Sequence, residues 1–475
     1  MTNAPMQLVF LLIFLIYLLL LLVIGIISRS RIKNSVDDYY LGGRKLGPWI
    51  SSFSFVAAYF SSVVIIGGGG FGYKYGLSTI WIGVINVLLG TALTWIVLGK
   101  KTWQLTRELN AITLPELLKK RYNASALQVI SALVTIVFMV VYNVSILKGM
   151  GNVLEGLLNI PYSIALLIAS VIIIIYVALG GFLAVVWTGF VQAWIMLLAL
   201  LLLTIMTFNK VGNLTTIFTR LTEVNEKLIS TPGLWSWSGL ISYALIVSFG
   251  VWGMPQLVNR FYSIKTPSVL RIGTVLATFG ASMAILPYFN GAVSRILFPN
   301  LTNPDLAIPL LVKNILSPLG QAIFLTGVIA AGMSTFSAVL IICVSALIKD
   351  LIEDNLKITL SPQRHVLYAR LTSIFLGLIS LIVALKPPAM ILVITAFSWA
   401  VIASTNLWPY FWSLYAKTPK RVSGLLSMVS GLLVSLIWLI LKNPWGIHGF
   451  IPGTVISFIG YFIGKIFQKP ATTCN

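Results

Sequence analysis

The sequence predicts an all-α membrane protein of about thirteen transmembrane helices. Three observations carry that expectation. Of 475 residues, 58% are hydrophobic and 9% charged, against about 25% charged in a soluble domain, so the chain cannot cover a water-facing surface. Apolar runs of the length a span needs, about 20 residues, recur from end to end. Two of those runs are broken by glycine and proline, in matching places of two halves.

The spans fall near 7–28, 48–73, 77–99, 125–156, 161–186, 188–208, 236–262, 268–298, 319–348, 366–385, 388–412, 422–441 and 447–465. The first is too long for a signal-peptide core and lacks a small-residue cleavage pattern, so it reads as a retained helix. An odd count puts the termini on opposite sides. With the N-terminus outside, 23 of the 32 Lys and Arg fall in inner connections, from Arg29, Arg31 and Lys33 to Lys465 and Lys469; that asymmetry favours N-terminus out, C-terminus in. The net charge of +21 is then an orientation signal. Nucleic-acid binding is excluded, because no basic face coexists with a soluble fold. Cys343 in a helix and Cys474 in the tail sit at different depths and cannot pair. The largest outer connections, about 209–235 and 299–318, leave no room for another domain, and the inner TLPELLKKR within 100–124 reads as a short interfacial helix. One transmembrane domain results, 1–475: an extra helix at 7–28, a first repeat at 48–208, an inverted second repeat at 236–412, and two extra helices within 422–465.

The breaks point to a site. Ala57 to Gly70 ends in four consecutive glycines, each costing a helix about 1 kcal/mol relative to alanine. Ser248 to Leu257 holds Gly250, Gly253 and Pro255, and the proline removes a donor and frees a carbonyl. Loose backbone at membrane depth is tolerated where protein or a cavity serves it. Each break lies in the first helix of a group of five, the pattern of an inverted-repeat transporter with a midplane site; the competing explanation is that the glycines only allow close packing.

Chemistry within the membrane is sparse. The chain has 11 acidic residues. Asp37, Asp38, Glu108, Glu116, Asp350, Glu353 and Asp354 are expected at or near the inner surface, and Glu223, Glu226 and Asp305 outside. Only Glu155 is expected to enter a helix. No paired acids, Cys–His couple or metal-ligand cluster is foreseen, and His365 and His448 lie in loops, so hydrolytic or metal catalysis finds no support. Proton-coupled carriers employ a buried titratable group; sodium needs only oxygens. Ser334 and Thr335, in GVIAAGMSTFS (327–337), offer two hydroxyls beside carbonyls freed at the first break. The alternative is that they bond their own helix backbone. Lys148, inside a span, is expected to pair with Glu155, to snorkel, to attract an anionic solute, or to titrate.

These residues resemble the sodium:solute symporters, the family with sodium/proline, sodium/pantothenate, sodium/sialic acid and sodium/glucose carriers. DYYLGGRKLGPW (38–49) is similar to the family's entry to its second helix, and GYKYG (72–76) to its G-x-x-Y-G. GGFLAVVWTGFVQ (180–192) is similar to G-G-x-x-A-V-x-W-T-D-x-x-Q, GMPQLVNRF (253–261) to G-x-P-H-x-x-x-R-F, and AAGMST (330–335) to A-A-x-M-S-T. The resemblance implies a LeuT-type five-plus-five inverted core. It implies a sodium site from the carbonyls of Ala57, Phe60 and Ala331 and the hydroxyls of Ser334 and Thr335. It places the solute near Ser61, Ser62, Tyr142, Trp252 and Gln256. The function it implies is sodium-coupled import of a small organic solute, a monocarboxylate or amino acid-like compound, across a prokaryotic plasma (inner) membrane. Sodium would be the coupling ion, the bilayer and solute its partners, and a monomer sufficient. The protein is then not an enzyme.

Departures from the pattern narrow this. Gly189 replaces the aspartate of W-T-D, which favours one sodium per cycle. Tyr59 stands where many members carry an aspartate, and Gln256 replaces the histidine. Val247 and Val251 take the places of a Trp and a Tyr found in proline carriers, which argues against proline. Two other readings stand beside sodium symport: proton-coupled or uncoupled transport on the same fold, and a membrane sensor retaining that fold. A channel is disfavoured, since few polar residues line a path.

Overall fold

In lipid, backbone groups must find partners within the protein, and apolar runs without proline satisfy this as helices. The computed structural model describes residues 4–31, 40–158 and 160–467. Lys33, Asp37, Asp38, Lys469 and Cys474, placed above by sequence, lie outside the described residues. Among the described residues no strand forms beyond one isolated bridge between Leu46 and Ile264.

The helices in order are α1 (Ala4–Arg31), α2 (Pro48–Tyr59), α3 (Val63–Tyr75), α4 (Leu77–Val97), α5 (Gly99–Glu108), α6 (Leu114–Tyr122), α7 (Ser125–Leu158), α8 (Tyr162–Val211) and α9 (Leu214–Val224). There follow α10 (Trp237–Gly253), α11 (Pro255–Tyr262), α12 (Ser268–Leu297), α13 (Ala307–Ile315), α14 (Pro318–Glu353), α15 (Pro362–Ala384), α16 (Ile391–Tyr415), α17 (Arg421–Ile440) and α18 (Phe450–Phe467). Among the described residues nine helices are long and apolar enough to span alone, and two bent pairs, α2 with α3 and α10 with α11, bring the total to eleven. The two remaining expected spans, 7–28 and 161–186, fall in α1 and the first half of α8.

One expectation is corrected. The separate helices at 161–186 and 188–208 form one helical run, α8, of 50 residues. It contains no proline, and glycines at 180, 181 and 189 weaken a helix without ending it. Its second part, Phe182–Val211, is by itself long enough to span. The connections 209–235 and 299–318 hold the short helices α9 and α13. Asn213 caps α9 by accepting from the Thr216 N–H at 2.9 Å, a preferred N-cap residue in its role.

Burial sorts the helices. An apolar helix with no polar face belongs at a centre, and α14 is one: 94% of its apolar window is buried, against 33% for α15 and α17. Those outer helices present residues such as Ile382 and Ile440 outward, as lipid contact requires. On the inner connection, the expected interfacial helix is α6. Thr113 caps it, accepting from the Glu116 N–H at 3.0 Å, while the Glu116 carboxylate reaches back to the Ile112 N–H at 2.8 Å, a variant of the capping box.

Candidate ion and solute site

α2 stops at Tyr59. Phe60 is extended, with φ −98° and ψ 102°, and its N–H still bonds the Val56 carbonyl. The chain resumes as α3 at Val63, with the two axes bent by 53°. The Ser61 hydroxyl accepts from the Val63 N–H at 3.1 Å and so caps α3. The break takes the Ala57 carbonyl out of the helical ladder. That oxygen turns to α14, where it accepts from the Ser334 hydroxyl at 2.8 Å and the Thr335 hydroxyl at 3.0 Å. Ser334 Oγ also lies 2.9 Å from the Ala331 carbonyl. Both hydroxyl residues are buried.

Four of the five oxygens singled out by sequence therefore converge: Ala57 O, Ala331 O, Ser334 Oγ and Thr335 Oγ1. Phe60 is buried nearby but contributes no atom to these bonds. Hydroxyls can turn their lone pairs toward a cation, so this neutral cluster fits a small, hard, weakly held ion; it offers nothing to a metal that needs thiolates or imidazoles. Among the described residues no group of three or more His, Cys, Asp or Glu could hold a metal.

Beside the break lies a small cavity, about 20 Å³. Tyr59, Asn86, Tyr142, Tyr288, Thr395 and Trp399 line it, and none of its lining residues is charged. The Val247 carbonyl accepts from both Tyr59 OH at 2.5 Å and Asn86 Nδ2 at 2.9 Å. Tyr59 stacks on Trp399 at 5.9 Å, and Tyr142 meets the same indole edge-on at 5.7 Å. Two buried polar atoms here lack partners, Asn86 Oδ1 and Trp399 Nε1, one acceptor and one donor.

Of the five solute candidates, Tyr142 alone lines this cavity. Ser62 donates to the Ile146 carbonyl at 2.8 Å and so fastens the break to α7. Trp252 is packed away against Phe249 and Phe411, its indole N–H on the Leu89 carbonyl at 3.2 Å. Gln256, buried with both amide atoms unpartnered, lies on α11 outside the cavity. Sequence reasoning missed Asn86, Tyr288, Thr395 and Trp399. The one available signal was Asn86, an amide in an otherwise apolar span.

Lys148 is also relocated. It pairs with Asp305, not Glu155: Nζ to Oδ2 is 2.9 Å. It also donates to the Ala389 carbonyl at 2.9 Å. Asp305, expected in an outer loop, is fully buried. It accepts from the Ile391 N–H at 3.3 Å, at the start of α16, where the helix dipole favours an anion.

Two bent helices flanking a buried oxygen cluster and a shared cavity define a transporter of the LeuT fold. Solved structures share that architecture. A Na+-coupled sialic acid symporter in its substrate-bound outward-open state superposes with a TM-score of 0.82 over 97% of this chain and 98% of that one, at 17% identity. Mhp1, a nucleobase-cation-symport-1 family transporter in a closed conformation, gives 0.58 over 90% and 94%, at 12% identity. The profile of the sodium:solute symporter family matches residues 39–431, and the chain belongs to that family. Its relatives include the osmoregulated proline transporter OpuE of Bacillus subtilis, 30% identical over 92% of this chain and 90% of that protein. The sodium/pantothenate symporter of Haemophilus influenzae is 30% identical over 90% of each. A sodium/proline symporter of Staphylococcus aureus is 29% identical over 94% and 91%. The family and these relatives are transporters, not enzymes.

Proposed function

We propose that this protein is a sodium-coupled symporter that imports a small, amino acid-like organic solute across a prokaryotic plasma membrane, acting as a monomer. The observation that carries the reading is the Ala57 carbonyl, released by the break in α2–α3 and held by the Ser334 and Thr335 hydroxyls of α14. Sodium at that cluster would be liganded by Ala57, Phe60, Ala331, Ser334 and Thr335. It would tie the broken helix to α14 and so favour the conformation in which the adjacent cavity receives solute. In this reading 48–208 and 236–412 are the inverted repeats, whose rocking exposes the site to each side in turn.

The uncharged lining of the cavity supports a neutral or zwitterionic solute over a monoanion. The relatives that carry proline and pantothenate suggest the size range. Lys148 is engaged with Asp305 and the Ala389 carbonyl, which counts against its attracting an anionic solute.

The test is uptake into proteoliposomes under an imposed sodium gradient. Replacing Ser334 and Thr335 together by alanine removes two ligands and should abolish sodium-stimulated uptake. An unchanged sodium dependence in that variant, or uptake that follows a proton gradient alone, would overturn the reading.

A further inference from the structure

A second small cavity lies at the Asp350 end of α14, among residues of α6, α7, α11 and α14. Its volume is about 10 Å³, room for a single water-sized occupant. Asp350 is fully buried there. Its Oδ1 accepts from Thr113 Oγ1 at 2.7 Å and from Gln128 Nε2 at 2.8 Å. Its Oδ2 has no partner. Three neutral oxygens on the walls of the same cavity are also buried and unpartnered: Asn259 Oδ1, Tyr262 OH and Thr135 Oγ1.

A carboxylate oxygen removed from water without a partner is strongly disfavoured. The adjacent cation does not serve it, because Lys349 lies 3.5 Å from the Glu353 carboxylate and 3.1 Å from that of Asp354. Among the described residues no lysine or arginine forms an ion pair with Asp350. One anionic oxygen with three neutral ones suits a small monovalent hard cation. A calcium site would take six to eight oxygens with more negative charge.

We propose that Asp350, Asn259, Tyr262 and Thr135 form a second sodium-binding site. It lies fifteen residues along α14 from Thr335, about 20 Å at the rise of a helix, at the end where basic residues concentrate. The proposal rests on the sodium reading of the first site. An ion here joins α7, α11 and α14, and gives sodium leaving the central cluster a place to rest before that end opens.

The experiment is equilibrium binding of radioactive sodium to the purified full-length protein in detergent, at constant ionic strength with choline as the replacement cation. The parent should bind two sodium ions per chain at saturation. Asp350→Asn keeps an oxygen for Thr113 and Gln128 but removes the charge, and should bind one. The Ser334→Ala, Thr335→Ala variant should also bind one, and the triple variant none. One ion in the parent, or two in Asp350→Asn, overturns the proposal. If the serine–threonine variant still binds two while Asp350→Asn binds one, the central-site reading falls and this site stands. Should Asp350→Asn fail to fold, Thr135→Val removes one neutral ligand at constant shape. It should weaken one of the two binding steps several-fold, and two unaltered steps would overturn the proposal as well.

Discussion

A Cβ built on Gly189 would lie 3.7 Å from the Ala57 Cβ and 3.8 Å from Ser54, ordinary contact distances. A Cβ at position 189 therefore meets α2 without a clash, against Ala57, the residue whose carbonyl joins the central oxygen cluster. Where the family pattern carries an aspartate, this chain leaves the position uncharged. Gly189→Asp should fit without displacing α2 and put a carboxylate beside the Ser334–Thr335 pair. The expected result is a several-fold fall in the sodium concentration giving half-maximal uptake, since opposite charge favours cation binding; no change would mean that residue 189 does not sense the ion. The hydroxyl pair could be picked out as oxygen-bearing side chains in an apolar helix, and position 189 only through the family's W-T-D pattern. The cavity lining was not legible. Thr395 and Trp399 lie more than 300 residues from Tyr59 along the chain, and nothing local marks an indole whose N–H will have no partner. Trp252 shows the converse: its position next to a break suggested solute contact, yet packing against Phe249 and Phe411 took it elsewhere.

At the scale of elements, the second break could be read because proline acts locally, whereas the first falls at Phe60 to Ser62, several residues before the glycines that suggested it, which are helical in α3. What the broken helices pack against could not be read. The second half of the first broken helix, α3, crosses α12 with backbone on backbone. A Cβ on Gly72 would lie 2.1 Å from the Tyr288 carbonyl oxygen, and one on Gly291 would lie 1.9 Å from that of Gly69. Close approach of this kind is what small residues provide where lipid supplies no hydrophobic drive between helices. The glycines around 67–72 thus serve close packing within α3, while the break falls ahead of them, at Phe60 to Ser62. Gly72→Ala or Gly291→Ala must push α3 from α12. Each should lower the yield of folded protein or its apparent melting temperature, whereas Gly47→Ala, with no atom within 4 Å, should leave both unchanged. A neutral Gly291→Ala, read by size-exclusion profile and thermal scan, would contradict the crossing. The long α8 is the case where an element was misread: with apolar residues throughout and no proline, local sequence contains nothing that must stop it.

Across the whole molecule, polar contacts fasten both ends of the bundle around a central cavity of about 20 Å³. At one end Thr113 and Gln128 hold Asp350. At the other, Lys148 of α7 joins Asp305, which precedes α13, to the start of α16. Charge totals alone could not reveal this second clasp, because Asp305 sits in a segment that reads as an outer loop until α13 buries it. The pair links α7 to the α13 and α16 side, so its effects on stability and on access can be measured separately. Lys148→Met leaves Asp305 buried and uncompensated, which typically costs about 3–5 kcal/mol, and should lower the apparent melting temperature sharply. Adding Asp305→Leu removes the stranded charge and should recover much of that loss. The double variant nonetheless lacks the link between α7 and the α13–α16 side. In a background with both native cysteines replaced, a cysteine at position 389, where the ammonium now rests on the backbone, should react faster with a membrane-impermeant maleimide in the double variant than in the parent. Equal reaction rates would show that the ion pair braces the fold without guarding the cavity, and recovery of stability without faster labelling would assign it to packing alone.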